Sequence, residues 1–279
     1  MIRRARAAGL IRAAIMITAA AVVILFFPRP SASSPASGSP SAPAAIQFGT
    51  LPPGAKLPSG AQCARWVKAA PSPENRPGNA VPDHTTGESV GRDFFPAGDS
   101  PQVARLVPLI SGGFTGTTEE ILRWAACKWG ISQDIVFAQA AVESWWRQDT
   151  LGDWGTDAAL CPPGHGPGAD GRGGQCPQSY GILQTRYPFE QASWPGMASS
   201  TAMNADTAYA IWRSCYDGYE VWLNDVPRGR RYQAGDLWGC VGRWYAGGWY
   251  TPAAEQYIST VKEYLHERVW QQPDFGQAG

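Results

Sequence analysis

Six cysteines, Cys63, Cys127, Cys161, Cys176, Cys215 and Cys240, constrain this 279-residue chain more than any other feature. Their meaning depends on the compartment, and the N-terminus addresses that. The charges of the first 27 residues are four arginines (Arg3, Arg4, Arg6, Arg12), followed by the apolar run Ala13 to Phe27, AAIMITAAAVVILFF. That run spans 15 residues, short of the roughly 20 that cross a bilayer as a helix, and small residues (Ser31-Ala32-Ser33) follow it. Residues 1–27 therefore read as a secretory signal, or as a retained N-terminal membrane anchor, with Pro28 and Pro30 crowding the cleavage region. Arg3-Arg4 lacks the flanking pattern of a twin-arginine signal, and no cysteine near the cleavage region suggests a lipoprotein. An even number of cysteines in an exported chain favours three disulfides.

Six cysteines allow 15 pairings. Cys161–Cys176 around a Gly/Pro-rich loop and Cys215–Cys240 between two helices are the preferred pairs, which leaves Cys63–Cys127 by exclusion. No C-x-x-C pair occurs, and His84, His165 and His266 are scattered, so neither a metal site nor a cofactor is expected. From Pro28 onward the chain holds 19 basic and 23 acidic residues, which argues against nucleic acid as a partner. It also removes the strong positive charge by which many secreted proteins adhere to anionic surfaces. Pro28 to Gly60 contains 8 Pro, 7 Ser, 6 Ala and 4 Gly in 33 residues. Such a stretch buries little apolar surface, so residues 28–62 are expected to form an extended tether.

The body is expected to be mainly α. Thr117-Thr118-Glu119-Glu120 offers a capping box, with Gly130 as the stop. A helix over Ser132–Gln148 follows, then an amphipathic pattern over Ala208–Leu223 that Gly218 can interrupt. A last helix begins at Thr251-Pro252. Sustained alternation is absent, and Gly/Pro-rich sequence fills Gly152 to Gln178. Residues 63–116 have no assignable fold, 117–270 form the helical domain, and 271–279 are a C-terminal tail. Trp124, Trp129, Trp212, Trp222, Trp238 and Trp270 fall at helical spacing and read as core. Trp154, Trp194, Trp249 and Tyr250 fall in loops, where a ring can stack on a sugar or anchor the loop.

The chemistry centres on AVESWWRQ. Glu143 lies near indoles and small residues, surroundings that strip hydration from a carboxylate and keep it protonated near neutrality, as a glycosidic general acid requires. The bland alternative is a helix-end glutamate paired with Arg147. Three later segments bear on the choice: SYGILQT (Ser179 to Thr185), STAMNAD with Asn204, and GRWYAGGWY with Tyr245. With the E-S pair, these four motifs in order resemble the soluble lytic transglycosylase and goose-type lysozyme superfamily, glycoside hydrolase family 23, over roughly Thr117 to Trp270. Ala246 stands where that family usually has Asn, and Trp145 where a small residue often follows the serine.

The resemblance implies a lysozyme-like helical domain that cleaves the glycan strands of peptidoglycan outside the cytoplasmic membrane. Glu143 becomes the catalytic acid/base and Tyr245 its hydrogen-bonded positioning partner. Ser144, Trp146, Tyr180, Gly181, Gln184 and Asn204 become substrate-binding residues, with Gly181 and Gln184 at the cleft. A transglycosylase needs one carboxyl group. A hydrolase needs a second to activate water, for which Asp149, Asp153, Asp157 and Asp170 stand downstream and Asp153 in LGDWG is the candidate. A chitin- or chitosan-cleaving enzyme and a non-catalytic wall-binding protein are the remaining alternatives. The membrane is a partner only through the N-terminal segment, and no protein partner is assigned.

Overall fold

The computed structural model describes residues 46–67, 77–81, 83, 87–227 and 229–275. The expected signal or anchor, the tether as far as residue 45, His84 and the last four residues all lie outside the described residues.

The remainder is mainly helical, with about half of it in helix. Short helices α1 (Gly60–Val67), α2 (Pro77–Ala80) and α3 (Gly87–Val90) precede α4 (Thr118–Trp129) and α5 (Gln133–Ser144). Three two-residue strands follow: β1 (Leu151–Gly152), β2 (Ser179–Tyr180) and β3 (Thr185–Arg186). Then come α6 (Gly196–Ser199), α7 (Thr201–Tyr216), α8 (Leu237–Ala246) and α9 (Pro252–Glu267). Helix α7 packs on α4, α9 packs on both α5 and α8, and the core fills the space between them. Among the described residues no helix is long and apolar enough to cross a membrane.

Local chemistry explains the helix ends. Thr117 Oγ1 accepts from Glu120 N at 3.0 Å while Glu120 Oε2 accepts from Thr117 N at 2.8 Å, completing the capping box. Gly130 closes α4 at φ 61°, a left-handed position that costs glycine little. Thr251 caps α9 through its hydroxyl, with Pro252 in the first turn. Ser132 stands before α5 as expected, but its hydroxyl makes no cap hydrogen bond; its N–H donates to Thr50 Oγ1 at 3.0 Å. Helix α5 is also shorter than expected. Trp145 and Trp146 turn left-handed (φ 55° and 61°), so Arg147 leaves the helix and is not one turn from Glu143. The amphipathic reading over Ala208–Leu223 catches only the second half of α7, which starts at Thr201 and is buried on every side. A helix buried all round has no polar stripe to mark its start.

Two boundaries need correction. Residues 46–62 are not a tether. Phe48 and Leu57 pack on the core, Leu51 N donates to Gly130 O at 3.0 Å, and Arg213 donates to the carbonyls of Leu51 (3.3 Å) and Pro52 (2.7 Å). Two apolar anchors, a backbone hydrogen bond and a buried guanidinium outweigh a loop-like composition. The described residues between 63 and 116 are likewise no separate extension: Cys63, Phe94, Phe95, Val103, Leu106, Ile110 and Phe114 all enter the core cluster shared with α4 and α7. The C-terminal tail also docks in part, with Phe275 edge-on to Trp145 and Trp146 at 5.0 and 5.2 Å.

All three preferred disulfides form, Cys63–Cys127, Cys161–Cys176 and Cys215–Cys240, with Cα separations of 5.8, 5.8 and 5.7 Å. The first pins α1 to α4, the second closes the Gly/Pro-rich loop, and the third joins α7 to α8. The antiparallel sheet runs in the order β1-β2-β3, with Leu151 opposite Tyr180 and Tyr180 opposite Thr185. Strands of two residues are too short to register as alternation.

Candidate active site

Glu143 is the penultimate residue of α5 and borders a cleft of about 1250 Å³. Asp153, Gln184, Arg186, Glu190, Trp222, Arg243, Trp244, Tyr245 and Tyr257 line the same cleft, which lies among α5, the sheet, α8 and α9. Glu143 is half-buried. Loss of hydration pushes its carboxyl up from the ordinary 4.5 to about 7, and the nearby Asp153 charge pushes the same way. The Tyr257 hydrogen bond opposes that shift, as does the nearby Trp244 indole, whose N–H donates to Leu183 O, without cancelling it. The result is a carboxyl group that faces an open cleft and still holds its proton near neutrality.

The positioning tyrosine differs from the expected one. Tyr257 Oη donates to Glu143 Oε1. Tyr245, at the end of α8, is 61% exposed on the cleft wall and instead stacks flat on the Tyr257 ring, with centroids 4.8 Å apart. Helix α9 packs directly on α5, so a tyrosine on its buried stripe reaches Glu143, whereas the last turn of α8 leads into solvent. In the helix that begins at Thr251-Pro252, Tyr257 reads only as one of the apolar positions, alongside Ile258 and Val261. Its hydroxyl is the signal that could have marked it, because a buried phenol needs a partner.

Several expected contact residues hold the scaffold. Asn204 is fully buried in α7: its Nδ2 donates to Tyr180 O (2.8 Å) and Met197 O (2.7 Å), and its Oδ1 accepts from Leu183 N at 2.9 Å. Gln148 works beside it, accepting from Ile182 N at 3.1 Å and donating to the carbonyls of Met197 and Ala198. Gly181 sits between these two amides at φ 78°; a Cβ there would lie 2.4 Å from Asn204 Nδ2, so this glycine lets the clamp close and does not line the cleft. Ser144 donates to Ile182 O at 2.8 Å, Tyr180 donates to Pro177 O at 3.0 Å, and Trp146 donates to Phe137 O at 3.0 Å. None of these three borders the cleft. Asn204, Gln148 and Ser144 fix the β2–β3 turn, and that turn presents Gln184. Asn204→Ala removes three hydrogen bonds at once and strands buried backbone groups. It is expected to cost about 3 kcal/mol, read as a lower thermal midpoint.

Gln184 does border the cleft. It is held left-handed at φ 50°, and its Nε2 donates to Thr150 O (3.1 Å) and Gly181 O (2.9 Å), which leaves Oε1 as a fixed acceptor. Asp153 also reaches the cleft, with Ser179 Oγ donating to its Oδ2 at 2.5 Å and Arg186 Nε 3.6 Å away. Asp157 and Asp170 are engaged elsewhere, capping Ala159 N and pairing with His165. Of the loop aromatics, Trp249 and Tyr250 are buried and serve as anchors; Trp194 packs edge-on against Tyr180, Tyr187 and His165. Arg186 and Glu190 are cleft residues outside all four motifs; Arg243 and Trp244 lie in GRWYAGGWY, where only Tyr245 was expected at the site, and Trp222, read as core, borders the cleft instead. Among the described residues no group of three or more His, Cys, Asp or Glu side chains is arranged to hold a metal ion. Comparison with family models, curated proteins and solved structures finds no match for this chain.

Proposed function

We propose that this chain is an exported, lysozyme-like enzyme that cleaves peptidoglycan glycan strands as a lytic transglycosylase, with Glu143 as its single catalytic acid/base. The observation that supports this most is a cleft-facing carboxyl group raised to about 7 and tied by Tyr257. Tyr257 donates to Oε1, which leaves the other oxygen to carry the proton. Glu143 protonates the glycosidic oxygen between N-acetylmuramic acid and N-acetylglucosamine. As a carboxylate it then takes the proton of the muramyl C6 hydroxyl, which attacks C1 and closes a 1,6-anhydro ring. An attacking group already held in the substrate replaces a bound water, an orientation effect of several kcal/mol. Gln184 Oε1 is available to an acetamido N–H. Three disulfides favour an oxidising compartment outside the cytoplasm.

One observation favours hydrolysis instead: Asp153 borders the same cleft and its charge acts on Glu143. A muramidase would use Asp153 to activate water. Digestion of purified peptidoglycan by the full chain, followed by mass spectrometry, separates the two. Products one water lighter than hydrolysed muropeptides are expected, with Asp153→Asn changing yield less than tenfold and leaving product identity alone. Hydrated products that vanish in Asp153→Asn would make the enzyme a muramidase.

A further inference from the structure

The cleft holds acidic groups that this reaction does not use. Glu190, Arg243 and Trp222 line it, with Asp99 and Glu220 buried behind them. Arg243 Nε bonds Glu220 Oε2 at 2.6 Å. Asp99 is held by neutral donors, the Ser214 hydroxyl and the Trp222 indole, both at 2.9 Å. Arg92 lies near Asp99 but spends its guanidinium on the carbonyls of Phe95, Pro96 and Asp99. Three carboxyl groups thus face two guanidinium groups, so one carboxyl group lacks a cationic partner of its own.

The surplus falls on Glu190. Only 8% of this residue is exposed, yet its carboxylate has no hydrogen bond and no ion pair within 4.0 Å among the described residues, and it borders the cleft. Independently, Glu220 Oε1 is fully buried with no hydrogen-bond partner. An acceptor lacking a donor at the cleft wall, with a second buried behind it, describes half of a charge-assisted contact. Burial pushes Glu190 up to about 7 and Glu220 to about 8, so an arriving cation displaces a proton instead of meeting a fully formed charge. Phe189, next in sequence, is 70% exposed at the cleft mouth and offers a ring face to a sugar.

We propose that Glu190 receives a primary ammonium group carried by the glycan in the cleft, with Glu220 and Arg243 setting its charge. The ammonium can be the 2-amine of a de-N-acetylated amino sugar or the free side-chain amine of a diamino acid in an attached peptide. This rests on the glycan-cleaving reading above. The test is calorimetric binding at pH 7 of matched probes to the full chain and to Glu190→Gln. One pair is fully N-acetylated and fully de-N-acetylated chitopentaose; the other is a disaccharide-peptide with its diamino-acid amine free or acetylated. In at least one pair the amine form is expected to bind wild type about tenfold tighter, the worth of one charge-assisted hydrogen bond, with proton release. Glu190→Gln is expected to bind both members alike, and the pair showing the preference names the source of the amine. Equal binding of both members of each pair by wild type, or a preference that survives Glu190→Gln, overturns the ammonium assignment while glycan binding stands. Failure of every probe to bind overturns both readings.

Discussion

Glu143→Gln is expected to lower kcat on peptidoglycan by about 10³-fold or more while the protein stays folded, because the amide cannot donate or take the proton in either step. The same substitution is expected to stabilise the fold at alkaline pH. Glu143 has a folded pKa of about 7 against an ordinary 4.5, so the folded state binds this proton more tightly than the unfolded chain. Its favourable contribution is complete below 4.5 and is lost as pH rises through 7. Glutamine never ionises and escapes that loss. The thermal midpoint of Glu143→Gln should therefore match wild type at pH 4 and exceed it at pH 8, by up to about 3 kcal/mol of stability. Activity falling while stability rises marks a strained functional group; a purely structural glutamate would lose both.

Tyr257→Phe is the second large effect, an expected fall in kcat of about 10- to 100-fold. The phenol hydrogen bond favours the ionised form of Glu143, so its removal raises the Glu143 pKa further. As the acid must be protonated to act, the alkaline limb of kcat/KM, set near pH 7 in wild type, should move to higher pH in Tyr257→Phe. Tyr245→Phe, which keeps the stacked ring and makes no hydrogen bond to Glu143, should leave that limb in place. A pH profile that moves with Tyr245 and not with Tyr257 would return the positioning role to the end of α8.

Features decided within a few residues were legible in the sequence. The capping box at Thr117, the stop at Gly130 and the Thr251-Pro252 start all depend on neighbours in the chain. Cys161–Cys176 followed from loop character and Cys215–Cys240 from its place between two helices, and that left the third pair. Glu143 stood out through its E-S pair and neighbouring tryptophans, but Trp145 and Trp146 pack away from the cleft and the indole beside Glu143 is Trp244. What escaped notice depends on contacts distant in sequence. Tyr257 lies 114 residues from its partner, and nothing in the α9 stripe separates it from Ile258 or Val261. The segment around Leu51 has the composition of a linker, yet Arg213, some 160 residues later, holds its carbonyls.

The motif residues are a subtler case. Asn204, Gly181, Ser144 and Tyr180 read as substrate contacts because they accompany Glu143 in order. Their side chains serve the β2–β3 turn instead: an amide with three buried partners, a glycine in an interamide gap, two hydroxyls on carbonyls. A pattern in sequence reports that residues matter together, without saying whether they touch the substrate or hold what does. Of the motif residues, Gln184 and Glu143 border the cleft, joined by Tyr245, which stacks on Tyr257 at the cleft wall.

The most direct test is a carboxyl-carbon NMR titration of Glu143 in the folded protein, assigned by Glu143→Gln. A midpoint near 7 that rises in Tyr257→Phe is the expected result. A midpoint near 4.5, unmoved by Tyr257→Phe, would mean an ordinary surface glutamate and would contradict the acid/base role assigned to it.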